Sequence, residues 1–273
     1  MARLRRHSRP LDGTTAKVQG AAAVDHCPGA GHRWRDARGN HIAAVGDSPR
    51  HHGEGILVAS PEALAAVQPY AEYLTRSVDS VAIDLESYAE LLRKWQRIQN
   101  LVSRETLTEL WSRHVADSLQ ALTKITEKDS NFIDLGSGGG FPAIPLATAL
   151  KGRANYLLVE PTQRKVSFLR TIGRELGLSI KVDARRIEQI DPRETFVPDV
   201  ITSRALASLD SLCAMMLPFF GPNSRAILHK GREHVEEIEQ AGTRFAFNVL
   251  VTKSDTDPNG VLLELTNLSR KDR

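Results

Sequence analysis

Four glycines within five residues, Gly136, Gly138, Gly139 and Gly140, interrupt this chain directly after the apolar run Phe132 to Leu135, and an apolar segment resumes at Pro142. A short apolar run that breaks into glycines reads as a strand, a tight turn and a helix. Glycine serves such a turn in two ways. It adopts positive φ without a Cβ clash, and it lets backbone N–H groups approach a bound ligand closely. Pro142 suits the first helical turn, where its missing N–H would have had no intrahelical partner.

Turns of this kind hold either dinucleotides or S-adenosyl-L-methionine. The dinucleotide fingerprint G-x-G-x-x-G, started from Gly136, requires glycine where Phe141 stands. The spacing present, Asp134-x-Gly136-x-Gly138-x-Gly140, resembles the first motif of the Rossmann-like S-adenosylmethionine-dependent methyltransferases. Glu160 ends the next apolar run, Tyr156 to Val159. An acid at the tip of the second strand is where the ribose hydroxyls of an adenosine cofactor would be held.

Downstream, short apolar runs near 131–135, 156–159, 180–182, 200–203, 226–229, 247–253 and 261–268 alternate with helical stretches at 162–176, 208–217 and 232–240. That alternation predicts a seven-stranded, mostly parallel sheet with helices on both faces. The last two strands, joined by the turn-rich segment 254–260, predict a hairpin whose final strand inserts antiparallel. Such an ending favours a class I methyltransferase sheet over a dehydrogenase sheet.

Upstream, Ser60-Pro61-Glu62 has the form of a helix start. A helix is predicted over 85–101, its apolar face made by Leu85, Tyr88, Leu91, Leu92, Trp95, Ile98 and Leu101. A second is predicted over 106–125, carrying Leu107, Leu110, Trp111, Val115, Leu119 and Leu122. These make an N-terminal helical cap, so the expected organisation is a disordered or mis-started extension at 1–57, the cap at 58–127 and the Rossmann-like domain at 128–273.

The extension shows no periodicity, and it concentrates the positive charge: residues 1–55 sum to +4 and the remainder to −1. Net charge therefore argues no overall nucleic-acid field, and any RNA contact must come from local patches. No apolar run reaches the roughly 18 residues of a membrane span, and the basic start lacks the apolar segment of a secretion signal. Cys27 and Cys213 have no companions at zinc spacing, which suggests a reducing compartment with neither disulfide nor metal site. A cytoplasmic protein is expected.

An ordered set of segments now becomes visible: Trp95, Asn100-Leu101-x-Ser103, Arg113-His114-x2-Asp117-Ser118, the glycine motif through Pro145, Glu160-x3-Arg164-Lys165-x2-Phe168-Leu169, Arg186-x-Glu188, Ser203-Arg204-Ala205 and Lys230-Gly231. Together, over about 62–268, they resemble the small-subunit ribosomal RNA guanine-N7 methyltransferase family, known as RsmG or glucose-inhibited division protein B. Ala143 departs from the glycine frequent there, and residues 1–55 have no counterpart.

The resemblance implies methylation of guanine N7 in 16S ribosomal RNA, at guanine 527, by a monomer acting on 16S rRNA or the small ribosomal subunit with S-adenosyl-L-methionine as cofactor. It also implies that Gly136, Phe141, Ile187, Glu188 and Arg204 contact the cofactor, beside Gly138 and Glu160 of the motif itself. Arg113, His114, Arg164, Lys165 and Lys230 are candidate RNA contacts, each of which could equally be a solvated charge. Guanine N7 carries a free lone pair, so no catalytic general base is expected. Two other readings stay open: a methyltransferase of this fold acting on a small molecule or protein, with the cap as its lid, and a non-catalytic module in which Glu160 and Glu188 bind nucleoside.

Overall fold

The computed structural model describes residues 34–35, 41–42, 58–97, 101 and 106–271. Met1–Pro49 and Arg50–Arg273 form separate compact units. In the first, strands β1 (Trp34–Arg35) and β2 (His41–Ile42) pair antiparallel. The rest of the expected extension at 1–57 lies outside the described residues, as do Ile98, Asn100 and Ser103 of the expected cap.

The second unit opens where the sequence predicts. Ser60 caps α1 (Pro61–Val67) by accepting from the Ala63 N–H at 3.2 Å, with Pro61 in the first turn. Helix α2 (Val78–Gln96) begins earlier than expected, because Ser77 caps it and Val81 and Ala82 extend the buried stripe of Leu85, Tyr88 and Leu92 by one turn.

The regular helix expected over 106–125 is corrected. Thr106–Glu109 is a 3₁₀ turn, Leu110–Ala116 a π turn, α3 (Asp117–Leu119) a single α turn, and Gln120–Lys124 again 3₁₀. Distant side chains draw off the carbonyls that a regular helix would use. The Arg113 carbonyl accepts from Arg204 at 3.1 Å, and the Asp117 carbonyl accepts from His229 Nε2 at 2.8 Å. Such insertions into the hydrogen-bond ladder are where helices change pitch.

Seven strands form one sheet: β3 (Asn131–Leu135), β4 (Asn155–Val159), β5 (Ile180–Asp183), β6 (Val200–Arg204), β7 (Arg225–Lys230), β8 (Phe245–Lys253) and β9 (Val261–Arg270). Their order is β5-β4-β3-β6-β7-β9-β8. The first five are parallel, while β9 lies antiparallel between β7 and β8, the inserted hairpin that the sequence predicts. This is the sheet of the class I methyltransferases.

Both faces are covered, which explains the unbroken apolar runs of the central strands. Phe132, Tyr156, Leu158 and Val200 face one core, shared with α1, α2, α4 (Ala143–Ala149) and α5 (Gln163–Glu175). Ile133, Leu135, Leu157, Val159 and Ile201 face the other, closed by α6 (Leu209–Met216) and α7 (His234–Gly242). The period-two alternation of strand side chains splits each run between the two layers. The cap thus belongs to the same hydrophobic core as one face of the sheet. No helix among the described residues is long and apolar enough to cross a membrane.

Candidate functional site

The site grows from the carboxyl ends of β3, β4 and β6. Gly136, Gly138 and Gly140 adopt φ of 70°, 54° and 100°, the left-handed region that favours glycine. The N–H groups of Gly136 and Ser137 bond the Val159 carbonyl at 2.9 and 3.1 Å, tying the turn to the tip of β4. Glu160 lies buried behind it: Oε2 accepts from the Gly138 N–H at 3.0 Å and Oε1 from the Thr162 N–H at 2.8 Å. From the cap, the Tyr88 hydroxyl donates to the Gly139 carbonyl at 2.7 Å.

Asp134 stands at the root of the turn. Its Oδ1 accepts from the Thr202 hydroxyl at 2.6 Å, while Oδ2 is buried with no hydrogen-bond partner among the described residues. Burial pushes this carboxyl up to about 7, against the opposing pull of hydroxyl donors and Arg204.

A cleft of about 470 Å³ opens over the turn, walled by Gly136–Gly139, Phe141, the cap residues Arg113, His114 and Asp117, Lys165 of α5, Arg204 at the end of β6 and Ala205 beyond it, and Thr256 and Asp257 of the hairpin loop. Arg204 organises it. One guanidinium nitrogen reaches Asp117 Oδ2 at 3.0 Å and the Arg113 carbonyl at 3.1 Å, and the other reaches His114 Nδ1. The guanidinium also lies 5.1 Å from the Phe141 ring centre, and the His114 ring stacks on Phe141 at 4.9 Å. Asp117 Oδ1 accepts from Gln120 at 2.7 Å and from the Thr256 hydroxyl at 2.9 Å.

A guanidinium only donates, so His114 Nδ1 accepts and the proton of the neutral ring resides on Nε2. Burial, reinforced by the Arg204 charge, lowers the His114 pKa to about 4, so the ring is neutral at physiological pH.

Of the residues singled out from the sequence, the fold brings Gly136, Gly138, Phe141, Arg204, Arg113, His114 and Lys165 into this one cleft. Ile187 and Glu188 sit in a 3₁₀ turn beyond β5, Ile187 buried and Glu188 exposed, on the same carboxyl edge of the sheet but outside the cleft wall. Arg164 is exposed on α5, also outside the wall. His114 and Asp117, open to pairing with each other in the sequence, converge on Arg204 instead.

Lys230 requires a correction. Its Nζ donates to the Ala207 carbonyl at 2.7 Å and pairs with Glu237 at 2.6 Å, and its side chain is only 8% exposed. A buried, neutralised ammonium is an internal tie, not a surface that meets phosphate. Sequence reasoning also missed Thr202, Thr256 and Tyr88 as site partners, since each meets its target from 50 or more residues away.

Comparison with known proteins adds the family. The family model described as GidB, rRNA small subunit methyltransferase G, matches residues 82–257. Ribosomal RNA small subunit methyltransferase G of Cereibacter sphaeroides (strain ATCC 17029 / ATH 2.4.9) is 40% identical over 188 residues, covering 68% of this chain and 90% of the relative. The protein of that name from Rhizobium meliloti (strain 1021) is 41% identical over 192 residues, covering 68% and 89%. Among solved structures, precorrin-6y C5,15-methyltransferase from Geobacter metallireducens GS-15 is similar with a TM-score of 0.41 and 12% identity, over 61% of this chain and 90% of that one.

Proposed function

The chain belongs to the rRNA small subunit methyltransferase G family, and from that premise we propose that it transfers a methyl group from S-adenosyl-L-methionine to N7 of a guanine in 16S ribosomal RNA. The observation that carries the reading is the Asp134 to Gly140 turn opening into a cleft whose other wall is the cap, with Arg113 and Lys165 at its rim.

The turn fits the cofactor. At Gly138 an added Cβ would meet only the Gly136 carbonyl, at 3.7 Å, so this part of the turn stays open to an approaching ligand. Each Glu160 oxygen accepts one backbone N–H and keeps a lone pair for a ribose hydroxyl. When bound, S-adenosylmethionine supplies a sulfonium methyl group.

The protein's own task is then mainly geometric. Guanine N7 has no proton to lose, so no side chain need act as a base. Holding the acceptor in line at near-attack distance supplies several kcal/mol. The carboxylates of Asp117 and Asp257 disperse positive charge as it moves onto the purine. The Arg113 side chain, 49% exposed, makes long ion pairs to Glu109 at 3.6 Å and Asp257 at 3.7 Å among the described residues, pairs that an RNA phosphate can displace. N7 faces the deep groove of A-form RNA, which side chains cannot enter, so the target base is unpaired or flipped out.

The test offers tritiated S-adenosylmethionine with naked 16S rRNA, assembled small subunits and a protein extract. Labelled 16S rRNA that reductive aniline treatment cleaves at a single guanine supports the reading. Label in protein, or in RNA that resists this cleavage, would overturn it.

A further inference from the structure

A second cavity of about 590 Å³ adjoins the cleft at the carboxyl ends of β6 and β7, a size within the range of about 300 to 1,000 Å³ typical of small-ligand sites. The two share Asp117, Arg204, Ala205 and Asp257 as a common boundary. The loop after Arg204 forms that boundary in an unusual conformation. Ala205 adopts φ of 53°, strained for a residue with a Cβ, and Leu206 remains 37% exposed although it is large and apolar. Its side chain rests on the glycine turn: a Cβ on Gly136 would stand 2.6 Å from Leu206 Cδ1.

Something must hold such a loop, and the structure provides a clamp. Lys230 donates to the Ala207 carbonyl at 2.7 Å. Glu237 Oε2 accepts from Lys230 at 2.6 Å and from the Leu209 N–H at 2.6 Å. One partly buried ion pair therefore grips the backbone on both sides of Ser208, just beyond Leu206, and the bonds are of the strong, charge-assisted kind.

Resting on the reading above, we propose that the second cavity receives the flipped guanine, that Leu206 is the apolar wall against which its ring lies, and that Lys230 and Glu237, which also line this cavity, are positioning residues acting through Leu206. The arrangement suits the chemistry. A purine seated in this cavity with N7 toward the shared boundary faces the cofactor cleft, and its face meets a leucine whose opposite side is braced by the glycine turn. A displacement of about 1 Å at such a wall costs on the order of a hundredfold in rate.

The experiment compares full-length wild type, Leu206→Ala, Lys230→Met, Lys230→Arg and the Leu206→Ala/Lys230→Met double variant, using small subunits or 16S rRNA, whichever the wild type methylates. Melting temperature and S-adenosylmethionine affinity are measured alongside. Leu206→Ala, which leaves the clamp in place, should lower kcat about tenfold or more with a smaller change in KM. Lys230→Met should match it, Lys230→Arg should recover part of the loss, and the double variant should be no worse than the worse single one, because coupled residues are not additive. Unchanged kcat in Leu206→Ala, additive losses, or a salt dependence flattened by Lys230→Met would overturn the proposal while leaving the function intact. A wild type that labels no RNA would remove both.

Discussion

Replacing Arg204 with methionine tests the organisation of the site most directly. The change keeps much of the side-chain bulk but removes the charge from a place where Arg204 and Asp117 are each only 16% exposed. Truncating one partner of a buried pair costs about 3 to 5 kcal/mol, because the other charge stays behind uncompensated. Asp117 retains Gln120 and Thr256 on Oδ1 and loses its bond on Oδ2, so a cost near the lower limit, about 3 kcal/mol, is expected. For a folded unit of this size that lowers the melting temperature by about 6 to 12 °C. The diagnostic step is a second substitution. Asp117→Asn in the Arg204→Met background removes the stranded charge, and calorimetry should find the double variant more stable than Arg204→Met alone. A double variant of equal or lower stability would refute the argument, since the loss would then come from packing. In the same Arg204→Met protein the His114 pKa, followed by NMR, should rise from about 4 toward its ordinary value, because the Arg204 charge no longer adds to burial and Arg113 in holding it down.

Three further outcomes are expected. Glu160→Ala should weaken S-adenosylmethionine binding by about 1 to 3 kcal/mol, the scale for bonds to a charged group, and calorimetric affinity equal to wild type would remove Glu160 from the site. Because the folded-state pKa of His114 lies below its unfolded value, the unfolded chain binds the extra proton first; the His114 contribution is complete above about 6.5 and lost as pH falls toward 4, by at most about 3 kcal/mol. A His114→Gln variant should show a shallower decline in denaturant titrations across that window, and an identical decline would exclude His114 as the cause. Arg113→Ala and Lys165→Ala should each raise KM for RNA and flatten its salt dependence by about one ion equivalent at unchanged cofactor affinity; an unaltered slope would show that neither meets phosphate.

The sheet was legible because its physics is local. Each parallel strand, covered on both faces, leaves a short continuous apolar run, and the glycine turn and Glu160 announce themselves by spacing alone. The cap was less so. Its α2 stripe reads directly, but the broken helix of 106–124 depends on Arg204 and His229 taking carbonyls from 91 and 112 residues away, and no window of sequence contains both partners. Lys230 illustrates the same limit from the other side. A lysine at a strand tip looks available for phosphate until the first turn of α7 brings Glu237 against it. Charged residues are thus easy to nominate from sequence and hard to assign, because their role depends on the company that the fold provides.

The bond from Tyr88 to the Gly139 carbonyl has a consequence for the thermodynamics of ligand capture. Glycine is the residue with most backbone freedom to lose, and a run of them that ordered only around its ligand would charge that entropy against affinity. Here a fully buried tyrosine from the cap, together with the Val159 carbonyl and the Glu160 carboxylate, holds the run in shape from outside. The ordering cost falls at folding instead of at binding, so the turn meets its ligand preorganised. If the turn holds the cofactor as proposed, the cap contributes to its affinity through Tyr88, a residue that lies outside the cleft wall.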